Sequence, residues 1–229
     1  MMDFIEGEIL YVNKPLNWTS FRLVKVIRGK LRQKLSVKKL KVGHAGTLDP
    51  LATGVMIVCT GKKTKQIERL QAGVKEYIAT IRLGATTPSF DLETEIDAEY
   101  PVEHITEDMV RECLKEFVGE IQQIPPNFSA VKVNGKRAYK LARKDVEFEL
   151  KPKLLVIDSI NLDHYELPYI TVSVACSKGT YIRALARDIG VSLGSGGHLT
   201  SLVRTRVGDA TIDDCLQVDE LDDFFSENI

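Results

Sequence analysis

Period-two and period-3.6 apolar spacings follow one another along this chain without strict strand–helix alternation, and that irregular order constrains the fold most. Residues 74–83 read as a strand with Tyr77, Ala79, Ile81 and Leu83 on one face. Residues 7–13, 54–60 and 170–176 read as further strands. Ser20 is placed to cap a helix over 21–33, with Phe21, Val24, Ile27 and Leu31 inward. Residues 64–71 suit a short helix. Thr106 opens another, with Glu107 and Asp108 at its positive end and Met109, Val110, Cys113, Leu114 and Phe117 as the buried stripe. Residues 180–193 give a helix with Ile182, Leu185, Ala186, Ile189 and Leu193 inward and Arg183 and Arg187 on a different face. The expected architecture is α+β, a mixed, largely antiparallel sheet flanked by helices.

The 229 residues fit one domain spanning 1–229. Pro125-Pro126 breaks the chain and starts a protruding arm over about 124–152. Within it, 128–133 reads as a strand, Asn134-Gly135 as a hairpin turn and 136–144 as a basic helix, after which Val146, Phe148 and Leu150 alternate. Hydrophobic residues make up 44% and charged residues 28%, which excludes a disordered chain. No apolar run approaches the roughly 20 residues that cross a bilayer. The first eight residues carry Asp3, Glu6 and Glu8 and no basic cluster, unlike a signal peptide. Cys59, Cys113, Cys176 and Cys215 are widely spaced, as in a reduced cytoplasmic protein, and neither they nor the four histidines have metal-ligand spacing.

The net charge of −1 conceals an asymmetry. From Lys14 to Lys75 there are 15 Lys and Arg against two acids, Asp49 and Glu68. From Asp91 to Glu120 there are 11 acids against Arg111 and Lys115, and beyond Arg206 eight acids and no base. A cationic face beside acidic flanks suits a polyanion that docks in one orientation, such as a nucleic acid. A solvated surface with segregated charge is the plainer alternative.

Inside the basic stretch lies Gly43-His44-Ala45-Gly46-Thr47-Leu48-Asp49-Pro50-Leu51-Ala52-Thr53-Gly54. Its glycines, proline and small residues suit a shaped loop rather than a helix or strand. It matches neither a P-loop nor a dinucleotide fingerprint. Its single carboxylate, Asp49, either begins a turn or has a chemical task, because an idle acid in a cationic groove repels phosphates.

The 43–54 run resembles the signature loop of the TruB-type tRNA pseudouridine synthases. Lys14-Pro15 with Thr19-Ser20, and Lys75-Glu76-Tyr77, resemble further motifs of that family. So do Pro125-Pro126-Asn127-Phe128-Ser129-Ala130-Val131-Lys132 with Gly135-Lys136-Arg137-Ala138-Tyr139, which correspond to the family's RNA-gripping thumb. Cys176-Ser177-Lys178-Gly179-Thr180-Tyr181-Ile182-Arg183, and Gly197-His198-Leu199 through Arg204-Thr205-Arg206, complete the set in family order. The resemblance spans about residues 7–208 and implies the pseudouridine synthase fold. It implies Asp49 as the catalytic aspartate, Tyr77 against the target base, and Arg183 pairing with and ordering Asp49. Tyr181, Lys14, Pro15 and Leu202 belong to the pocket, and His44 contacts RNA where the base has left its stack. Lys132, Lys136 and Arg137 of the thumb bind RNA. The implied substrate is uridine 55 in the T-arm stem-loop of tRNA. The acidic stretch 219–227 stands where many bacterial members continue into a C-terminal RNA-binding domain, so no separate domain of that kind is expected.

The chemistry is compatible with these residue types. The C1′–N1 bond breaks, the uracil turns over and C1′ joins C5, so the departing base is also the nucleophile and no metal, redox cofactor or ATP is needed. Positive charge builds on the ribose, as in glycoside cleavage, and a carboxylate suits that centre. Attack on the sugar, attack on the base and proton abstraction all remain open for Asp49. The target lies inside folded RNA and must be flipped out. A monomer without an obligate protein partner is expected. An RNA-folding chaperone and a guide-RNA-dependent synthase are the competing readings.

Overall fold

The computed structural model describes residues 1–144 and 146–229; Asp145, within the arm expected at 124–152, lies outside the described residues. In chain order the elements are β1 (Ile9–Lys14), α1 (Ser20–Lys34), β2 (Val42–Ala45), β3 (Ala52–Thr60), α2 (Ile67–Leu70), β4 (Lys75–Leu83), β5 (Ala85–Thr86), β6 (Ala98–Glu99), α3 (Glu107–Glu116) and β7 (Gly119–Gln123). There follow β8 (Lys132–Val133), β9 (Lys136–Arg137), α4 (Ala138–Ala142), β10 (Lys153–Glu166), β11 (Tyr169–Cys176), α5 (Ile182–Ser192), β12 (Gly197–Val207), β13 (Ala210–Thr211) and α6 (Leu221–Asn228). The architecture is α+β, as the irregular periodicity leads one to expect. Contacts gather into two compact units, Met1–Tyr77 with Val203–Ile229, and Ile78–Leu202.

In the first unit β1 and β2 both pair antiparallel with β3, in registers that set Lys14 opposite Gly54 and Ala45 opposite Ile57. A single parallel bridge joins Val12 to Leu216. Every residue of β3 except Thr53 is buried, the reason Val55 to Cys59 reads as an unbroken apolar run. Val55, Ile57 and Cys59 share a core cluster with Ala45, Val207 and Ala210. Gly54 has φ +104°, and a Cβ there would sit 2.2 Å from the Arg204 carbonyl oxygen, so only glycine fits.

Helix α1 begins one residue earlier than the sequence suggests. Thr19 is the cap, its hydroxyl accepting from the Arg22 N–H, and Ser20 is the first helical residue. The buried stripe is Leu23, Val24, Ile27 and Leu31, whereas Phe21, expected inward, is 68% exposed. At 100° per residue Phe21 falls on the rim of the stripe and Leu23 takes the inward place. Helix α6 buries Leu221 and Phe225, the latter edge-on to Phe4 at 5.4 Å between ring centres.

The second unit orders its main strands β12–β4–β11–β10–β7. Ala79, Ile81 and Leu83 of β4 are buried on one face, as expected, and Ile170, Val172, Val174 and Cys176 of β11 alternate likewise. Helix α3 is capped by the Thr106 hydroxyl on the Met109 N–H. Val110, Cys113 and Leu114 are buried, but Met109 is 42% exposed, another stripe-edge residue that the sequence reading placed inside. The arm has less strand than expected. Only Lys132–Val133 of 128–133 is a strand, paired with Lys136–Arg137 across Asn134 and Gly135, whose φ values of 48° and 79° suit a two-residue hairpin turn. The helix after it covers five residues rather than nine, and 146–150 carry no strand. All four cysteines are buried.

Candidate active site

The run 43–54 is not one loop. Val42–Ala45 and Ala52–Thr60 are strands, and only Gly46 to Leu51 forms the turn between them. Pairing partners on β3 explain the difference: small residues are as acceptable in an interior ladder as in a turn. Asp49 sits in this turn, half-buried, its carbonyl accepting from the Ala52 N–H at 3.1 Å.

The turn is tied down on every side within the first unit. Ser20 Oγ accepts from the Leu48 N–H and donates to the Leu48 carbonyl, both at 2.9 Å, so the start of α1 is fastened to the residue before Asp49. Asn17 N–H donates to the Pro50 carbonyl at 2.8 Å. Lys14, fully buried at the end of β1, donates its ammonium to the carbonyls of Pro15 (2.8 Å), Trp18 (2.7 Å) and Pro50 (3.3 Å). Arg204 of β12, 2% exposed, donates to the carbonyls of Val55 (2.8 Å), Gly46 (3.1 Å) and Thr47 (3.5 Å). Two buried cations therefore hold carbonyls on both sides of the one carboxylate. Burial pushes the Lys14 ammonium down to about 8; the Asp49 charge opposes this fall and the Arg204 charge adds to it.

His44 lies on β2. Burial and then the Arg204 charge lower its pKa below the ordinary imidazole value, which favours the neutral ring. Its Nδ1 is buried without a hydrogen-bond partner among the described residues. Pro15 is half-buried, and Tyr77, 9% exposed, is on the inward face of β4. Asp49, Tyr77, Lys14, Pro15 and His44 thus belong to the first unit, and Arg183, Tyr181, Leu202 and the arm cations to the second.

In the second unit Arg183, in the first turn of α5, is 4% exposed, a buried cation rather than a solvated one. It donates to the carbonyls of Ser89 (3.0 Å) and Phe128 (2.9 Å) and pairs with the buried Asp91 carboxylate at 3.5 Å. One turn on, Arg187 donates to the Ile124 carbonyl at 3.2 Å and lies over the Phe90 ring. The two arginines grip the base of the arm at both ends of the 124–128 stretch. Tyr181 caps α5, its N–H donating to the buried Gln123 side chain at 2.9 Å. Leu202 is half-buried on β12, and Lys132, Lys136 and Arg137 project from the hairpin, exposed. Among the described residues no group of three or more His, Cys, Asp and Glu is placed to hold a metal ion.

Sequence reasoning gave no role to Arg204 or Asp91. Arg204 was visible only as one arginine in a basic motif. Asp91 was one of eleven acids between 91 and 120, and nothing local separates a buried carboxylate from solvated ones.

Comparison with known proteins bears on this arrangement. A crystal structure of a Cbf5-Nop10-Gar1 complex superposes with a TM-score of 0.71 at 27% identity, over 99% of this chain and 57% of that one. A structure of an H/ACA RNP bound to a substrate RNA containing 2′-deoxyuridine gives 0.69 at 26% identity, over 99% and 57%. The fold is that of the pseudouridine synthases, which are isomerases. Residues 32–182 match the TruB family pseudouridylate synthase N-terminal domain, and 183–228 match the tRNA pseudouridylate synthase B C-terminal domain. A tRNA pseudouridine synthase B of Parabacteroides distasonis is 67% identical over 228 residues, all of this chain and 97% of that protein. The chain belongs to the TruB family of pseudouridylate synthases. No described helix is long and apolar enough to cross a membrane.

Proposed function

We propose that this chain isomerises uridine to pseudouridine in tRNA, at uridine 55 of the T loop, acting on the flipped-out nucleotide alone and without a cofactor. Its relationship to proteins named tRNA pseudouridine synthase B supports the substrate. The observation that carries the chemistry is the Asp49 turn, in which a half-buried carboxylate is set between carbonyls held by Lys14 and Arg204. Nearby buried cations favour the ionised carboxylate, the form from which every role open to Asp49 begins. Fixing the backbone on both sides limits the reorganisation needed as the ribose gains positive charge.

In this reading Asp49, Tyr77 and Arg183 are the catalytic groups. Lys14, Pro15, Tyr181 and Leu202 shape the uracil pocket, and His44 contacts the RNA where the base has left its stack. Lys132, Lys136 and Arg137 of the arm hold RNA phosphates. As C1′ passes from N1 to C5 the base gains a proton at N1 and loses one from C5, so atoms balance with no second substrate.

Purified protein should form pseudouridine in a T-arm stem-loop with no metal or nucleotide added. Asp49→Asn should lower kcat by about 10³-fold or more with RNA affinity kept within a few-fold. Wild-type turnover in that variant would remove Asp49 from the mechanism, and an inert wild-type protein that still binds and refolds tRNA would favour a chaperone.

A further inference from the structure

The solvent-facing side of α1 is built differently from an ordinary polar helix face. Phe21, Arg22, Lys25, Gly29 and Arg32 are all exposed, and their spacing puts them on one flank, away from the buried Leu23, Val24, Ile27 and Leu31. The flank on the other side of the buried stripe is occupied: Lys30 pairs with Asp222 and Lys34 donates to Ser226, both of the acidic helix α6. On the outer flank, among the described residues, no carboxylate pairs with Arg22, Lys25 or Arg32, nor with Lys38, Lys39 or Lys41 just beyond the helix. Arg22 is stacked on the Trp18 ring at 4.0 Å, which holds its charge outward.

Gly29 is the informative residue. It lies in mid-helix, where glycine is a poor helix former. Its φ is not left-handed, and a Cβ there would meet nothing within 4 Å. Nothing in the fold requires a glycine, yet it leaves the backbone bare between Lys25, one turn before, and Arg32, nearly one turn after. A bare backbone stretch flanked by two cations admits close approach of a phosphodiester chain, and the exposed Phe21 ring on the same flank is a surface for stacking a base.

Position gives the scale. Ser20 is fastened to Leu48 beside Asp49. At 1.5 Å rise per residue, Gly29 and Arg32 lie roughly 13 and 18 Å along the helix from that point, too far to touch the reacting nucleotide. We infer that the outer face of α1 is a second RNA-binding track, taking the sugar-phosphate backbone of tRNA outside the target stem-loop, with α6 marking its acidic border.

This inference rests on the tRNA reading above, and the test keeps the two apart. Wild-type turnover on a minimal T-arm stem-loop reports the reading; the difference between stem-loop and full-length tRNA reports the track. Lys25→Glu with Arg32→Glu should raise KM for full-length tRNA about tenfold or more with kcat little changed, and leave KM for the stem-loop within twofold. The slope of log affinity against log salt for full-length tRNA should become shallower by roughly two, about 0.9 per lost phosphate contact. Gly29→Gln should reproduce the KM effect while raising Tm, a combination that a misfolded variant cannot give. Equal losses on both RNAs, no loss on either, or binding of the wild-type track to anionic vesicles with tRNA kinetics unchanged by the substitutions would each overturn it.

Discussion

Lys14 and Arg204, two buried cations that bridge to no carboxylate among the described residues, do opposite work from ordinary surface charges. Each reaches several main-chain carbonyls at once and so ties the Asp49 turn to the strands beside it. Arg204→Met should therefore lower unfolding free energy by about 2–4 kcal/mol, read from the denaturant midpoint at unchanged slope. Lys14 adds a pH signature. Its folded-state pKa, about 8, is below the unfolded 10.5, so between those values the unfolded chain holds the extra proton. Its contribution to stability therefore rises with pH across that window. Activity should move the other way, declining above pH 8 as the amine loses its charge beside Asp49. A pH–rate profile for Lys14→Arg should lack that limb; an identical limb would assign it to another group. Arg183 needs care, because Arg183→Met also strands the buried Asp91 charge, at about 3–5 kcal/mol. Arg183→Met with Asp91→Asn should recover much of the stability and none of the turnover, separating the fold's use of the arginine from the reaction's.

At the scale of elements, legibility followed periodicity. Strand β4 was readable because Tyr77, Ala79, Ile81 and Leu83 alternate against a polar face, and α3 because Thr106 supplies a cap hydroxyl. Thr106→Ala should cost about 1 kcal/mol, measured by thermal or chemical unfolding. Stripe edges were not readable: Phe21 and Met109 are large and apolar but stand about 100° off the buried line, and sequence cannot tell a rim from a core. The turn at Asp49 was recognisable as a site, yet its flanks looked like loop because glycine and alanine mask the ladder with β3. The arm was recognisable from Pro125-Pro126 and Asn134-Gly135, but 128–131 looked like a strand only because apolar residues there serve another end. Phe128 lends its carbonyl to Arg183. Long-range duties of this kind, like those of Arg204 and Asp91, leave no local pattern.

Over the whole molecule, net charge misleads. A partner meets the field of the 14–75 segment rather than the total of −1. Affinity for tRNA should fall by about 10³-fold or more between 50 and 200 mM salt if six to ten phosphates are held, checked by filter binding across that range. The sulfur atoms offer a different handle. Cys59, Cys113, Cys176 and Cys215 are all interior, and burial lifts the thiols of Cys59 and Cys215 to about 11 and that of Cys113 above its usual value. The native protein should consequently be nearly silent to a maleimide dye at neutral pH. A cysteine introduced at the exposed Ala130 of the arm, or at Lys39 beyond α1, would carry the accessible reporter, so the approach of RNA to either place can be followed by fluorescence without first stripping the chain of its own thiols.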